Sequence, residues 1–159
     1  MNDIKTLSPA YFALVMATGI ISIAAFLLGY KGTAMVLLYL NAIQYIILCV
    51  LYFIRFVRFR TWFINDFKNT ATNPGFLTFV AGTCVLGNQF YLLKGYHVLS
   101  SILLITGLLF WVFLIYAAFL IITIKSHKLP IEKAISGIWL LFVVSTQSVS
   151  ILIANLAKD

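Results

Sequence analysis

The side chains that could do chemistry in this chain of 159 residues are hydroxyls and amides set inside apolar segments. Uncharged donors of this kind can solvate a passing anion weakly enough for it to leave again, which a channel requires. Small and hydroxylated residues are also the usual contacts between membrane helices, so packing remains the alternative interpretation for each of them. The predicted pore-lining and anion-contact residues are Thr18, Ser22, Thr83, Gln89, Thr146, Gln147 and Ser150.

Ionisable residues are missing from the same apolar segments. Asp3, Asp66 and Glu132 lie outside them, as do both histidines and every lysine and arginine. An intramembrane enzyme or a proton-coupled carrier normally keeps an ionisable residue at membrane depth. The pattern therefore predicts no catalytic residue, metal or cofactor. Cys49 and Cys84 stand alone without metal-ligand spacing, which favours inert thiols over a membrane redox enzyme.

The polar positions belong to a face that occurs three times, with spacings of 65 and 63 residues between copies. An aromatic, a valine, a threonine and a small residue follow one another at i, i+4, i+7 and i+11, which is one face of an α-helix. A repeat of this period indicates repeated structural units. The three copies are Tyr11, Val15, Thr18 and Ser22; Phe76, Val80, Thr83 and Gly87; and Trp139, Val143, Thr146 and Ser150.

The elements that must position these faces are transmembrane helices. The chain is 63% hydrophobic and 9% charged, with a mean hydropathy of +1.07, which is typical of an integral membrane protein. Segments that cross a hydrocarbon core of about 30 Å must be helical, because lipid offers the backbone no hydrogen bonds. One all-α transmembrane domain, 1–159, is predicted, with five helices at 10–28, 33–54, 75–93, 98–124 and 134–157.

The positive charges predict the orientation of the chain. Eight of the eleven basic residues precede helix one or lie between helices two and three or four and five; Lys31, Lys94 and Lys158 lie on the other side. The positive-inside rule places the N-terminus in the cytoplasm of a multi-pass protein of the inner or plasma membrane. The net charge of +7 therefore implies no nucleic-acid partner. The odd helices then run in parallel and are expected to be inner, and the even helices outer.

Three passages, 8–22, 73–83 and 137–148, resemble the tellurite-resistance/C4-dicarboxylate transporter family, within the voltage-dependent anion channel superfamily. The run from Trp139 to Gln147 is the most specific part of the match. The resemblance implies a pore inside five helical hairpins, ten helices in all, and commonly a trimer. The chain resembles only the first two and a half hairpins, and the pore-occluding phenylalanine of the ninth helix has no counterpart in it.

The expected function is accordingly transport of small anions or organic acids, such as C4-dicarboxylate, malate, sulfite, chloride or a tellurite-related ion. The expected partners are membrane lipid, this substrate, and either other copies in an oligomer or a complementary C-terminal half. A plain dimer of the chain fits poorly, because it would bring six inner helices where the family uses five. The alternative is a non-conducting helical subunit whose hydroxyl residues only pack against a partner.

Overall fold

The computed structural model describes residues 7–69, 72–124 and 137–158, and these ranges contain helices and turns but no strand. Four stretches are long and apolar enough to cross a membrane: Pro9–Leu27, Lys31–Arg58, Asn73–Lys94 and His97–Ile121. A fifth apolar helix, Leu140–Leu156, is shorter, and the predicted start of this segment at 134–136 lies outside the described residues. The α-helices are α1 (Ala13–Leu27), α2 (Lys31–Arg58), α3 (Arg60–Lys68), α4 (Leu77–Lys94), α5 (His97–Ile124) and α6 (Leu140–Leu156).

The three helices that carry the repeated face begin in the same way. A 3₁₀ turn precedes each of them, over Pro9–Phe12 before α1, Asn73–Phe76 before α4 and Gly137–Trp139 before α6. Proline suits a first helical turn because its φ is already helical and its missing N–H would have no partner there. The starts predicted from Pro9 and Pro74 therefore agree with the structure to within three residues.

Two tight turns, 66 residues apart, join α1 to α2 and α4 to α5. Each contains a left-handed glycine, Gly29 with φ 89° and Gly95 with φ 65°, a conformation that glycine adopts without the Cβ clash of other residues. Both turns are followed by a helix of 28 residues. Within each pair the two helices pack against each other. The second pair therefore reproduces the first in turn chemistry and helix length.

The short helix α3 packs across one end of the bundle. Its Phe63 and Phe67 rings contact Phe76 with centroid distances of 5.1 and 5.5 Å. Arg55, near the end of α2, forms an ion pair with Asp66 of α3. The connection between α2 and α4 is thus tied to both of the helices that it joins.

The central element is α4, which contacts α1, α2, α5 and α6. Over an apolar window of 18 residues in its membrane-length stretch, 72% of the residues are buried, against 22% for the stretch that contains α1 and 17% for each of those of α2 and α5. The predicted helices two, three and four are α2, α4 and α5. The expectation of inner odd helices and outer even helices fits these three. It does not describe α1, whose stretch is nearly as little buried as those of α2 and α5.

Candidate functional site

The repeated face lies between paired helices in its first two copies. Val15 of α1 is fully buried in a cluster with Phe12 and with Leu48 of α2. Val80 of α4 is fully buried in a cluster that contains Leu114 of α5. Because Leu48 and Leu114 are also 66 residues apart, the two pairs of helices place the same residue types at the same contact.

At the small residue of the face, a serine hydroxyl donates to a backbone carbonyl of the neighbouring helix in both pairs. Ser22 Oγ donates to the carbonyl of Ala34 in α2 at 2.8 Å. In the second pair, Ser100 Oγ of α5 donates to the carbonyl of Gly87 at 2.9 Å. Ser22 and Gly87 are equivalent in the repeat, as are Ala34 and Ser100. Both pairs therefore have a serine–carbonyl hydrogen bond at the same position. The serine lies on the first helix, α1, in one pair and on the second helix, α5, in the other.

A second equivalent contact shows the same exchange between a small and a larger residue. A Cβ on Gly19 of α1 would lie 3.1 Å from Asn41 Nδ2 of α2, and 2.4 Å from Val85 Cγ1 of α4. A Cβ on Gly107 of α5 would lie 2.7 Å from Cys84 Sγ of α4. The glycine is on α1 in one pair and on α5 in the other, so each pair achieves close approach with one glycine.

The three aligned threonines each bond to a side chain of α2 or α5. Thr83 Oγ1 donates to the carbonyl of Phe79 at 2.7 Å, so the hydroxyl of Tyr45, 3.0 Å away, acts as donor to it. Thr146 Oγ1 donates to the carbonyl of Phe142 at 2.8 Å and accepts from Trp111 Nε1 at 3.2 Å. Thr18 Oγ1 donates to Gln44 Oε1 of α2 at 3.4 Å.

Gln89, the remaining predicted contact in α4, meets Asn41 of α2 beside Gly19. Asn41 Nδ2 donates to Gln89 Oε1, and both side chains are fully buried. Asn41 Oδ1 and Gln89 Nε2 have no hydrogen-bond partner among the described residues. This amide pair therefore links the first pair of helices to α4 through polar groups that are only partly satisfied.

The third copy of the face differs from the first two because it is exposed. Val143 of α6 is 59% exposed, whereas its equivalents Val15 and Val80 are fully buried. Gln147 and Ser150 are also exposed. A groove of about 460 Å³ between α5 and α6 is lined by Ile115, Phe119, Trp139, Phe142, Val143, Thr146 and Gln147.

The three aligned aromatic residues do not share one environment. Tyr11 is exposed, Phe76 is buried in the core beside α3, and Trp139 lines the groove between α5 and α6. The sequence predicts one place for all three on the inner helices, and their contacts in the structure differ.

Sequence reasoning missed the residues of α2 and α5 that receive the repeated face. These partners are Ala34, Asn41, Gln44, Tyr45 and Leu48 in α2 and Ser100, Gly107, Trp111 and Leu114 in α5. The 66-residue spacing between the two sets could have found them, but the residue types change at each position except the leucine.

The chemistry that the described residues offer is uncharged. No three His, Cys, Asp or Glu side chains come together to form a metal site within 7–69, 72–124 and 137–158. Cys49 and Cys84 are both free thiols. What the residues do provide is hydroxyl, amide and indole groups along apolar helices.

The length and composition of these helices, with their uncharged polar contacts, define a multi-pass helical membrane protein. The model of the voltage-dependent anion channel family matches residues 6–159, and the chain belongs to that family. No curated protein and no solved structure matches the chain. The resemblance predicted from the sequence is thus confirmed. Members of this family are channels and transporters, not enzymes, so membership indicates an anion channel or transporter.

Proposed function

We propose that the chain forms part of the wall of a membrane pathway for small anions or organic acids. The proposed substrates are C4-dicarboxylates such as malate, and sulfite, chloride or a tellurite-related oxyanion. Family membership supports an anionic substrate. The uncharged polar groups of α1, α4 and α6 suit weak, reversible contact with an anion. The proposed location is the inner or plasma membrane, with the N-terminus in the cytoplasm.

The observation that carries the proposal furthest is the exposed face of α6. At Val15, Val80 and the serine–carbonyl bonds, the equivalent faces of α1 and α4 contact α2 and α5. The face of α4 is also covered by Leu152 of α6. Membrane helices associate through such close contacts of small and hydroxylated residues. A further helix, similar to α2 and α5, therefore belongs on Val143, the equivalent of the buried Val15 and Val80. In this proposal the described helices make two and a half parallel hairpins, and a complementary half completes the ring.

The seven predicted anion contacts differ in exposure and in bonding. Gln147 and Ser150 are exposed in the described structure and are the first contacts to test. Ser22, Thr83 and Gln89 bond to neighbouring helices, so their contact with an anion would require those bonds to exchange. Thr18 and Thr146 also bond to neighbouring helices but are only half-buried.

Flux into liposomes tests the proposal. The purified chain is reconstituted alone and together with a co-expressed C-terminal partner half, and uptake of malate, chloride and sulfite is measured. We expect flux once the partner is present, and a several-fold decrease for Gln147→Leu. Thr123→Val is the matched control, because Thr123 is exposed on α5 and bonds only to the carbonyl of Phe119. Absence of flux in both preparations would refute a transport role.

A non-conducting subunit is the second candidate, and the bonded hydroxyls of Ser22 and Thr83 favour it. Replacing Thr18, Thr83 and Thr146 together by valine separates the two functions. If these threonines serve only packing, the variant fails to assemble with its partner. If they line a pathway, assembly survives and the flux or its anion preference changes.

A further inference from the structure

Basic residues are concentrated where α2 ends and α3 begins. Arg58, Arg60 and Lys68 are all exposed and lie within eleven residues of one another. Directly before them, Phe53 and Val57 expose most of their surface along the last turns of α2. An apolar helix surface that passes into arginines is typical of the level at which hydrocarbon gives way to lipid headgroups.

The acidic residue of this region does not offset the exposed cations. Asp66 is paired with Arg55, whose side chain is only 1% exposed. The charge of Asp66 is therefore balanced from inside the bundle. Arg58, Arg60 and Lys68 leave a local excess of three positive charges on the surface.

The element that carries two of these cations is held in place by several contacts. Phe63 and Phe67 pack on Phe76. Asn73 Nδ2 donates to the carbonyl of Phe67 at 2.8 Å, and Thr72 Oγ1 donates to the carbonyl of Asp66 at 2.6 Å. Because α3 is attached on one side, its exposed side is presented in a defined position next to the end of α2.

We propose that Arg58, Arg60 and Lys68 form a binding site for the headgroup of an anionic phospholipid. The headgroup lies on the surface formed by the end of α2 and the exposed side of α3, and an acyl chain lies along Phe53 and Val57. Guanidinium groups bind phosphate through paired N–H donors, and basic residues beside a transmembrane helix attract anionic lipid. This inference concerns one leaflet of the membrane and does not depend on what the chain transports.

The opposite end of the bundle provides a matched comparison. Lys31, Lys94 and Lys158 carry the same formal charge, but they belong to three separate parts of the chain. The ammonium group of Lys94 also lies 5.5 Å from the centre of the Tyr39 ring, in a cation–π contact. Three dispersed lysines are therefore a control for charge without clustering.

The test is a binding titration on the full chain in neutral detergent. Phosphatidylglycerol is added at increasing mole fraction, and bound lipid is counted by native mass spectrometry, with phosphatidylcholine and inorganic phosphate as separate arms. Each surface cation near an anionic lipid is worth roughly a fivefold change in affinity. R58Q/R60Q/K68Q should therefore weaken phosphatidylglycerol binding on the order of 100-fold, while K31Q/K94Q/K158Q changes it less than threefold.

Three further outcomes distinguish a lipid site from a site for a free anion and from a general effect of net charge. R58K/R60K should weaken binding less than R58Q/R60Q does, because lysine keeps the charge but loses the paired donors of the guanidinium group. Far-UV circular dichroism must show the same helix content for each variant. Saturable binding of inorganic phosphate alone, with equal affinity, would replace the lipid with a free anion and overturn the proposal. Equal losses in the clustered and dispersed variants would also overturn it, because the surface would then respond only to net charge.

Discussion

Helices α4 and α6 carry the same repeated face, which is buried on α4 and largely exposed on α6. On α4 the valine, the threonine and the small residue are all buried against other helices. On α6 the corresponding Val143 and Ser150 are exposed, and only Thr146 reaches a partner, Trp111. The types of residue on the two faces are nearly the same, so the difference comes from what surrounds each helix.

This comparison indicates what the repeated face is for. In the two copies where a paired helix is present, the face receives that helix through a leucine, a hydroxyl and a glycine. Its spacing along the chain therefore encodes the contact between paired helices as well as any contact with a ligand. If so, substitutions at equivalent positions should be costly on α4 and nearly neutral on α6 in the chain alone.

The largest difference is expected at the small residue of the face. Gly87→Leu should destabilise the chain by about 3 kcal/mol, because even a Cβ would lie 2.8 Å from Leu152, which is itself fully buried. Ser150→Leu should change stability by less than about 0.5 kcal/mol, since Ser150 is exposed. Unfolding in mixed detergent micelles, followed by circular dichroism, measures both variants. Similar losses for the two would mean that α6 is covered in the folded chain.

A smaller difference is expected at the valine. Val80→Ala should cost about 2 kcal/mol, because the removed methyl groups leave a cavity among Leu77, Cys84 and Leu114. Val143→Ala removes the same atoms from an exposed position and should cost less than about 0.5 kcal/mol. The same unfolding assay applies. With a complementary half bound, the cost of Val143→Ala should rise towards that of Val80→Ala, and failure to rise would argue against a covering helix there.

Sequence reasoning could predict the helices and the repeat but not the partners of the repeated face. Composition and length determine where lipid-spanning helices can form, and Pro9, Pro74 and the glycine turns place several of their ends. The 66-residue spacing relates the partner residues, but their types do not reveal the relation. Each contact needs one small and one larger residue, and either helix can carry the small one. Gly19 with Asn41 and Cys84 with Gly107 illustrate this, as do the two serine–carbonyl bonds.

The exchange between small and larger residues can itself be tested where α4 meets α5. Gly107→Ala should cost about 1 kcal/mol, since the new Cβ would lie 2.7 Å from Cys84 Sγ and this single atom must shift. Cys84→Ala in the same chain removes that atom, so the double variant should recover most of the loss. A double-mutant cycle measures the coupling between the two positions. Strictly additive effects would show that the two residues do not share one contact.

The smallest effects are expected at the threonines, where α4 and α6 are most alike. Thr83→Val and Thr146→Val each remove one acceptor, from Tyr45 and from Trp111, and an interhelical hydrogen bond of this kind contributes about 0.6 kcal/mol in membrane proteins. Thr83→Val should cost somewhat more than Thr146→Val, because Thr83 is fully buried and Thr146 is not. Thr106→Val on α5 is the control, since its hydroxyl reaches only the carbonyl of Ile102 in the same helix. A loss at Thr146 equal to that of the control would mean that the indole of Trp111 contributes nothing to holding α6 against α5. The threonines of α4 and α6 would then be alike in sequence but not in their contribution to stability.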